Sequence, residues 1–201
     1  MTSSKDCAFC RPGFADTVLW ESEHYRIVPD GFPRCAGHVL LVTKEHMPSH
    51  MHAPAKWLPE FEEAQHQLRR FLHIHFGRAA FYENGARRQE VPHAHLHGLP
   101  FDPVIPDEWI QGEALEPVES WAGVRQERKR RGFYFYLETD RGRFLVRSYQ
   151  YIMRGVRDQL VGQTEARLDP ETSKMLRGGP EIVARTRELW ENWSAEKSDR
   201  R

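Results

Sequence analysis

The chain has no long apolar run, little cysteine and no excess of charge of either sign. Without an apolar run no membrane-spanning helix is expected, and the opening residues, MTSSKDCAFC, hold none of the apolar stretch of a secretory signal. The sequence therefore predicts a cytoplasmic protein with no membrane partner. Acidic and basic residues number 29 each, which removes any general attraction to nucleic acid or anionic lipid and leaves anion binding to local groups. Three cysteines are an odd count, and in a reducing compartment they argue against a disulfide framework. At 201 residues the chain is long enough to bury a core without such staples.

Histidine is what the chain has in quantity, 11 in all, and three of them fall in QEVPHAHLHGLP as His93, His95 and His97. On an extended strand, residues two apart share a face. The three imidazoles should therefore line up, with Ala94, Leu96 and Leu99 turned away or running into the core. Such a row can serve as a tri-histidine metal site, as a histidine nucleophile with flanking helpers, or as a solvated ladder without chemistry. Cys7 and Cys10 have the C-x-x-C spacing, which fits a redox pair or half of a tetrahedral zinc site. Cys35 reads as an ordinary small residue.

Turn residues and periodicity supply the frame. TVLW, HYRIVP and HVLLVTK read as strands separated by turns, among them the Pro- and Gly-containing DGFPRCAG. From about Ala53 to His75 the spacing becomes helical, with Trp57, Leu58, Phe61, Ala64, Leu68, Phe71 and Leu72 on one broad face. RAAFYENG and VPHAHLHGLP follow as strands. The stretch FDPVIPDEWIQGEALEPVES reads as an irregular excursion, ERKRRG as a solvated turn, and GFYFYLET and RFLVR around DRG as a hairpin. SYQYIMRGVRDQLVG and Pro180 to Trp193 read as helices, the second with Ile182, Val183, Leu189, Trp190 and Trp193 on a stripe. No internal repeat is visible. The fold class is α+β: an antiparallel sheet with one long crossing helix, plus a C-terminal hairpin and helices. The tail must bury its apolar stripe, and its own core is the nearest surface.

The motif His-φ-His-φ-His-φ-φ, with φ apolar, preceded by Gln89 and Val91 and closed by Pro100, resembles the histidine triad (HIT) superfamily of nucleotide hydrolases and nucleotidyl transferases. The likeness extends upstream through Cys7 and Cys10, PDGFPRCAGHVLLVTKEH, the long helix and YENG. It implies a HIT domain over residues 1–104 and an extension over 105–201 packing on it, joined by a linker of about 105–124. In such proteins the middle histidine, here His95, attacks the α-phosphorus of a nucleotide and becomes transiently nucleotidylated. His97 would then stabilise the transferring group by donating to one of its oxygens. The histidine at the third triad position favours water as acceptor, so a hydrolase of phosphoramidates, dinucleoside polyphosphates or nucleotidyl conjugates is implied. A transferase, a phosphorylase, or a nucleotide-binding protein with little turnover is the alternative.

The resemblance assigns further residues. Cys7, Cys10, His46 and His93 would form a closed Cys₂His₂ site for structural Zn²⁺, with His50 and His52 as other candidates for the fourth ligand. Asp30 would accept hydrogen bonds from ribose hydroxyls, and Asn84 and Gln89 would contact phosphate. Glu90 departs from the family, which often has Ser or Thr there, and Asn84 stands where longer bacterial members have a histidine. Gly37 and His38 would serve packing of the strand. A homodimer is implied, pairing through the helix and an edge strand near the pocket, unless the long tail covers that edge. If the hairpin docks beside the triad strand, one or two of Arg125, Arg128, Lys129, Arg130 and Arg131 come within reach of phosphates beyond the α position.

Overall fold

One antiparallel sheet organises the computed structural model, which describes residues 6–11, 14–33, 35–148 and 180–198, with single positions at 152, 155 and 156. Its strands are β1 (Trp20–Glu21), β2 (Tyr25–Pro29), β3 (Val39–Thr43), β4 (Ala80–Gly85), β5 (His95–Leu99), β6 (Leu115–Pro117), β7 (Tyr134–Thr139) and β8 (Gly142–Val146). The spatial order is β1-β2-β3-β5-β4-β7-β8-β6. The helices are α1 (Leu58–Phe76), α2 (Asp107–Gln111), α3 (Trp121–Arg131) and α4 (Pro180–Ser198). This is the expected α+β architecture. The helix expected in SYQYIMRGVRDQLVG falls mostly outside the described residues.

The sequence explains the central layer. All of β3, VLLVT, is buried, because both of its faces are covered, and a strand covered on both sides reads as a continuous apolar run. Pro59 sits in the first turn of α1, and Gly77 ends the helix at φ 77°, a left-handed position where glycine has no steric cost. The apolar stripe of α1 lies on the sheet at Gly98, where an added Cβ would come within 3.1 Å of Leu68 and 3.3 Å of Leu72. Gly98 and Leu96 therefore face α1, and His95, His97 and Leu99 face away from it. The pairings Leu40↔His97, Val42↔His95 and Tyr82↔His97 carry this second face onto β3 and β4.

The extension enlarges the same sheet. β7 pairs with β4 from Phe81↔Glu138 to Gly85↔Tyr134, so the hairpin lies one strand away from the histidine row. On the α1 side, Trp121 of α3 meets Phe61 edge-on at 4.8 Å and donates its indole N–H to Gln65 at 2.9 Å. Ile182, Trp190 and Trp193 of α4 are buried, with Trp190 4.8 Å from the Phe71 ring. Thr186 accepts a hydrogen bond from the Gly37 backbone N–H at 2.9 Å, which fixes α4 to the β2–β3 loop. On the histidine side, Phe101, Ile105, Trp109 and Leu115 pack with Leu99, Phe135 and Phe144.

Three local expectations are corrected. ERKRRG is no turn: it forms the last turns of α3, where Arg130 and Arg131 pair with Glu127 and Arg125 donates to the carbonyls of Met51 and Ala53. Trp121 and Val124 of α3 join the α1-side core, so the run lies across the sheet from His95 and His97. The excursion after Pro100 contains α2 and β6 and contributes a core. The row itself is two residues on strand and one before it, since β5 begins at His95.

Candidate functional site

His93 turns toward the N-terminal cysteines. Its Nδ1 lies 3.4 Å from both Cys7 Sγ and Cys10 Sγ, and His46 Nδ1 is 3.5 Å from Cys10 Sγ. The four ligand atoms all lie within 4.8 Å of one another. Two thiolates and two imidazoles around one Zn²⁺, with bonds of about 2.3 and 2.0 Å at tetrahedral angles, would stand roughly 3.5 Å apart. The donors fit a closed site. On the far side of the ring, His93 Nε2 is 2.8 Å from the Thr43 carbonyl, a partner that fixes the tautomer and leaves Nδ1 as the ligand. Burial lowers His93 to about 4, so its lone pair stays free of a proton at neutral pH. Burial and the neighbouring Cys7 push the Cys10 thiol up to about 11. Deprotonation of Cys10 at neutral pH thus needs a cation.

His50 and His52 take no part. His50 Nδ1 is 2.9 Å from Glu83 and His52 Nδ1 is 2.7 Å from Ser49. Glu83 is wholly buried, and it also accepts the Tyr134 hydroxyl at 2.5 Å. Burial pushes its carboxyl up, but the opposite charge of His50 and the hydrogen bonds from His50 and Tyr134 outweigh this and hold it below the ordinary value.

His95 is oriented by the backbone. Its Nδ1 is 2.6 Å from the His93 carbonyl, which can only accept, so Nδ1 carries the proton and Nε2 carries the lone pair. Phe9 packs against the ring at 5.6 Å, and the His95 and His97 rings are 5.0 Å apart. Burial lowers both histidines below their ordinary values, His97 furthest, with His95 and His38 adding to its shift. Both are neutral at pH 7.

His97 stacks face to face on Tyr82, with ring centroids 4.1 Å apart and planes 6° from parallel. Its Nδ1 is 3.0 Å from His38 Nε2 and 3.7 Å from Asp30 Oδ2. His38 is thus a polar neighbour of the row and not strand packing. Alternation could have found it, because His38 shares a face with Leu40, the partner of His97. Tyr82 was legible the same way once β4 was paired with β5. Asp30 opens its turn as well, accepting the Phe32 N–H at 2.8 Å.

The loop between β4 and β5 brings up the remaining residues. Ala86 and Arg88 adopt φ of 70° and 57°, left-handed conformations that cost non-glycine residues about 1 kcal/mol or more each. Asn84 reaches across this loop to the Arg88 carbonyl at 3.4 Å. Gln89 donates to the His93 carbonyl at 3.4 Å, the carbonyl that orients His95. Glu90 is exposed.

Fold and site together define an α+β domain whose sheet presents two neutral histidines, His95 buried and His97 partly exposed, beside a Cys₂His₂ cluster. Residues 12–104 match the family model described as HIT domain. Solved structures similar to the chain include a zinc-bound histidine triad family protein from Mycobacterium smegmatis, 24% identical, covering 49% of this chain and 76% of that one at a TM-score of 0.42. A HIT family member from Bacillus subtilis is 19% identical and covers 63% and 97% at a TM-score of 0.44. A hypothetical protein from Leishmania major is 19% identical and covers 65% and 96% at 0.45. No curated protein matches the chain.

Proposed function

We propose that the protein is a nucleotide hydrolase that cleaves at the α-phosphate through a nucleotidyl-histidine intermediate on His95. The observation that carries this reading is the 2.6 Å contact between His95 Nδ1 and the His93 carbonyl. A neutral imidazole so held has its nucleophilic nitrogen preset, and the carbonyl stabilises the positive charge that develops on the ring as Nε2 bonds to phosphorus. The bond from phosphorus to the leaving group breaks, and water then cleaves the phosphorus–nitrogen bond to release the nucleoside monophosphate and the free imidazole. His97 supports both steps by donating to a phosphoryl oxygen. Asp30 accepts from ribose hydroxyls, and Asn84 and Gln89 contact phosphate.

Cys7, Cys10, His46 and His93 hold one structural Zn²⁺, which ties the N-terminal segment to the residue whose carbonyl orients His95. The HIT domain extends over 1–104, with 105–201 as its packed extension. The substrate is a free nucleotide conjugate, and the protein works in the cytoplasm; among the described residues no helix is long and apolar enough to cross a membrane. The homodimer implied by resemblance needs a surface other than β4, whose free edge β7 occupies.

Intact-mass measurement after brief exposure to a nucleoside phosphoramidate, a dinucleoside polyphosphate or an adenylyl conjugate tests the reading. One nucleotidyl mass on the wild type, absent from a folded His95→Ala variant, is expected. Transfer of that group to an added phosphate or alcohol in preference to water would make the protein a phosphorylase or transferase. Nucleotide binding without any adduct would make it a binding protein and sink the hydrolase.

A further inference from the structure

We propose that Asp30, His38 and His97 form a second metal site, taking one exchangeable divalent transition-metal ion beside the histidine row. Three ligand atoms converge there: Asp30 Oδ2 lies 3.2 Å from His38 Nε2, His38 Nε2 lies 3.0 Å from His97 Nδ1, and the third side is 3.7 Å. Ligands bound at about 2.1 Å to a single ion stand roughly 3.0–3.4 Å apart, between octahedral and tetrahedral angles. The triangle matches one cation with little movement.

The ligands are held in place by groups outside the triangle. The Phe32 N–H anchors Asp30 Oδ1 at 2.8 Å, which directs Oδ2 at the two rings. The stacked Tyr82 fixes the plane of His97. Anchors of this kind orient ligands before the ion arrives. The side chains of Asp30 and His97 are each 14% exposed and that of His38 is 5% exposed. Asp30 and His97 thus keep some contact with solvent, and three donors leave coordination positions for water, unlike the four-donor cluster at Cys7, Cys10, His46 and His93. Two imidazoles and one carboxylate suit Zn²⁺, Co²⁺, Ni²⁺ and Fe²⁺, whereas Mg²⁺ and Ca²⁺ require oxygen-rich sites.

The functional consequence rests on the nucleotide reading given above. An ion on Oδ2 occupies the carboxylate assigned to ribose and draws on the ring of His97, so ion and nucleotide each weaken the other's binding by the same factor. The site thereby makes the protein responsive to the level of free transition metal.

Protein already holding one zinc is titrated with Co²⁺, and bound metal is counted by equilibrium dialysis and elemental analysis. Zinc keeps the thiolate site, so added cobalt reports the second site by weak visible bands without thiolate-to-cobalt charge transfer. A second equivalent in the wild type is expected, weakened about tenfold or more in His38→Ala and in Asp30→Asn, and retained in His95→Ala. Zinc content and circular dichroism verify that each variant is folded. A wild type that stops at one metal with millimolar Co²⁺, or a second equivalent bound equally well by both variants, overturns the proposal. The count needs no turnover, so cobalt binding without a nucleotidyl adduct retires the hydrolase and keeps the metal site, while an adduct without cobalt binding does the reverse.

Discussion

Burial sets the protonation state of the histidine row, and with it the pH at which the row can react. His95 and His97 are both lowered from the ordinary histidine value, so the neutral nucleophile persists through pH 6.5 and is lost only as pH falls further. Adduct formation followed in single turnover should stay level from pH 8 to 6.5 and decline below that. A half-point above 6.5 would mean that another group limits the reaction. The cysteines respond to pH in a different way. With Cys10 raised to about 11 in the absence of a cation, metal binding must displace its thiol proton, so zinc affinity should fall as pH drops. Cys7→Ser should lower zinc content and thermal midpoint together, because binding free energy at a closed site is folding free energy. A Cys7→Ser, Cys10→Ser double variant that kept stoichiometric zinc would refute the ligand set.

The contact between α1 and β5 has no spare room at Gly98, where a methyl group would press on Leu68 and Leu72. Gly98→Ala should cost about 1–3 kcal/mol in urea unfolding. Trp190→Ala should cost about 3–5 kcal/mol, since it empties the buried seam between α4 and Phe71. An unchanged midpoint for either variant would show that the packing is looser than described. These elements were legible in the sequence because their signals are local: the stripe from Phe61 to Leu72, the alternation around His95 and the cysteine spacing each lie within a few turns of chain. What was hidden depends on pairing. The role of His38 follows only once Leu40 stands beside His97. ERKRRG reads as a turn because the apolar anchors of α3, Trp121 and Val124, lie before it and the run itself is almost all charged, and the position of α3 across the sheet removes the reason to expect ERKRRG near phosphate. Neutralising Arg130 and Arg131 should leave nucleotide affinity unchanged and lower stability through the loss of their Glu127 pairs.

At the scale of the whole molecule, the extension repeats a topology that the sequence does not show: α1–β4–β5 is followed by α3–β7–β8, each a helix and two antiparallel strands, with β4 and β7 paired at the centre. The second unit has Phe144 and Val146 where the first has histidines on the corresponding outer strand, so it contributes packing and no second row. The helix and the edge strand through which the resemblance would pair two copies are the surfaces taken by α3 and β7. Glu83 lies at this seam, buried, with Tyr134 of β7 on one side and His50 on the other. Its depressed carboxyl stabilises the fold above the ordinary glutamate value, and that stabilisation is lost as pH falls through the lower, folded value. Glu138 and Glu127 are depressed in the same direction, so the urea midpoint should fall below about pH 4.5. Among the described residues, the strands left at the sheet's edges are β1, with two residues, and β6, with three and a terminal proline, short edges of a kind that resists pairing with another chain. The chain should therefore sediment as a monomer across micromolar concentrations. A dimeric mass that persisted on dilution, and that survived substitutions on β1 and β6, would place the interface on a face of the sheet and require the seam to open.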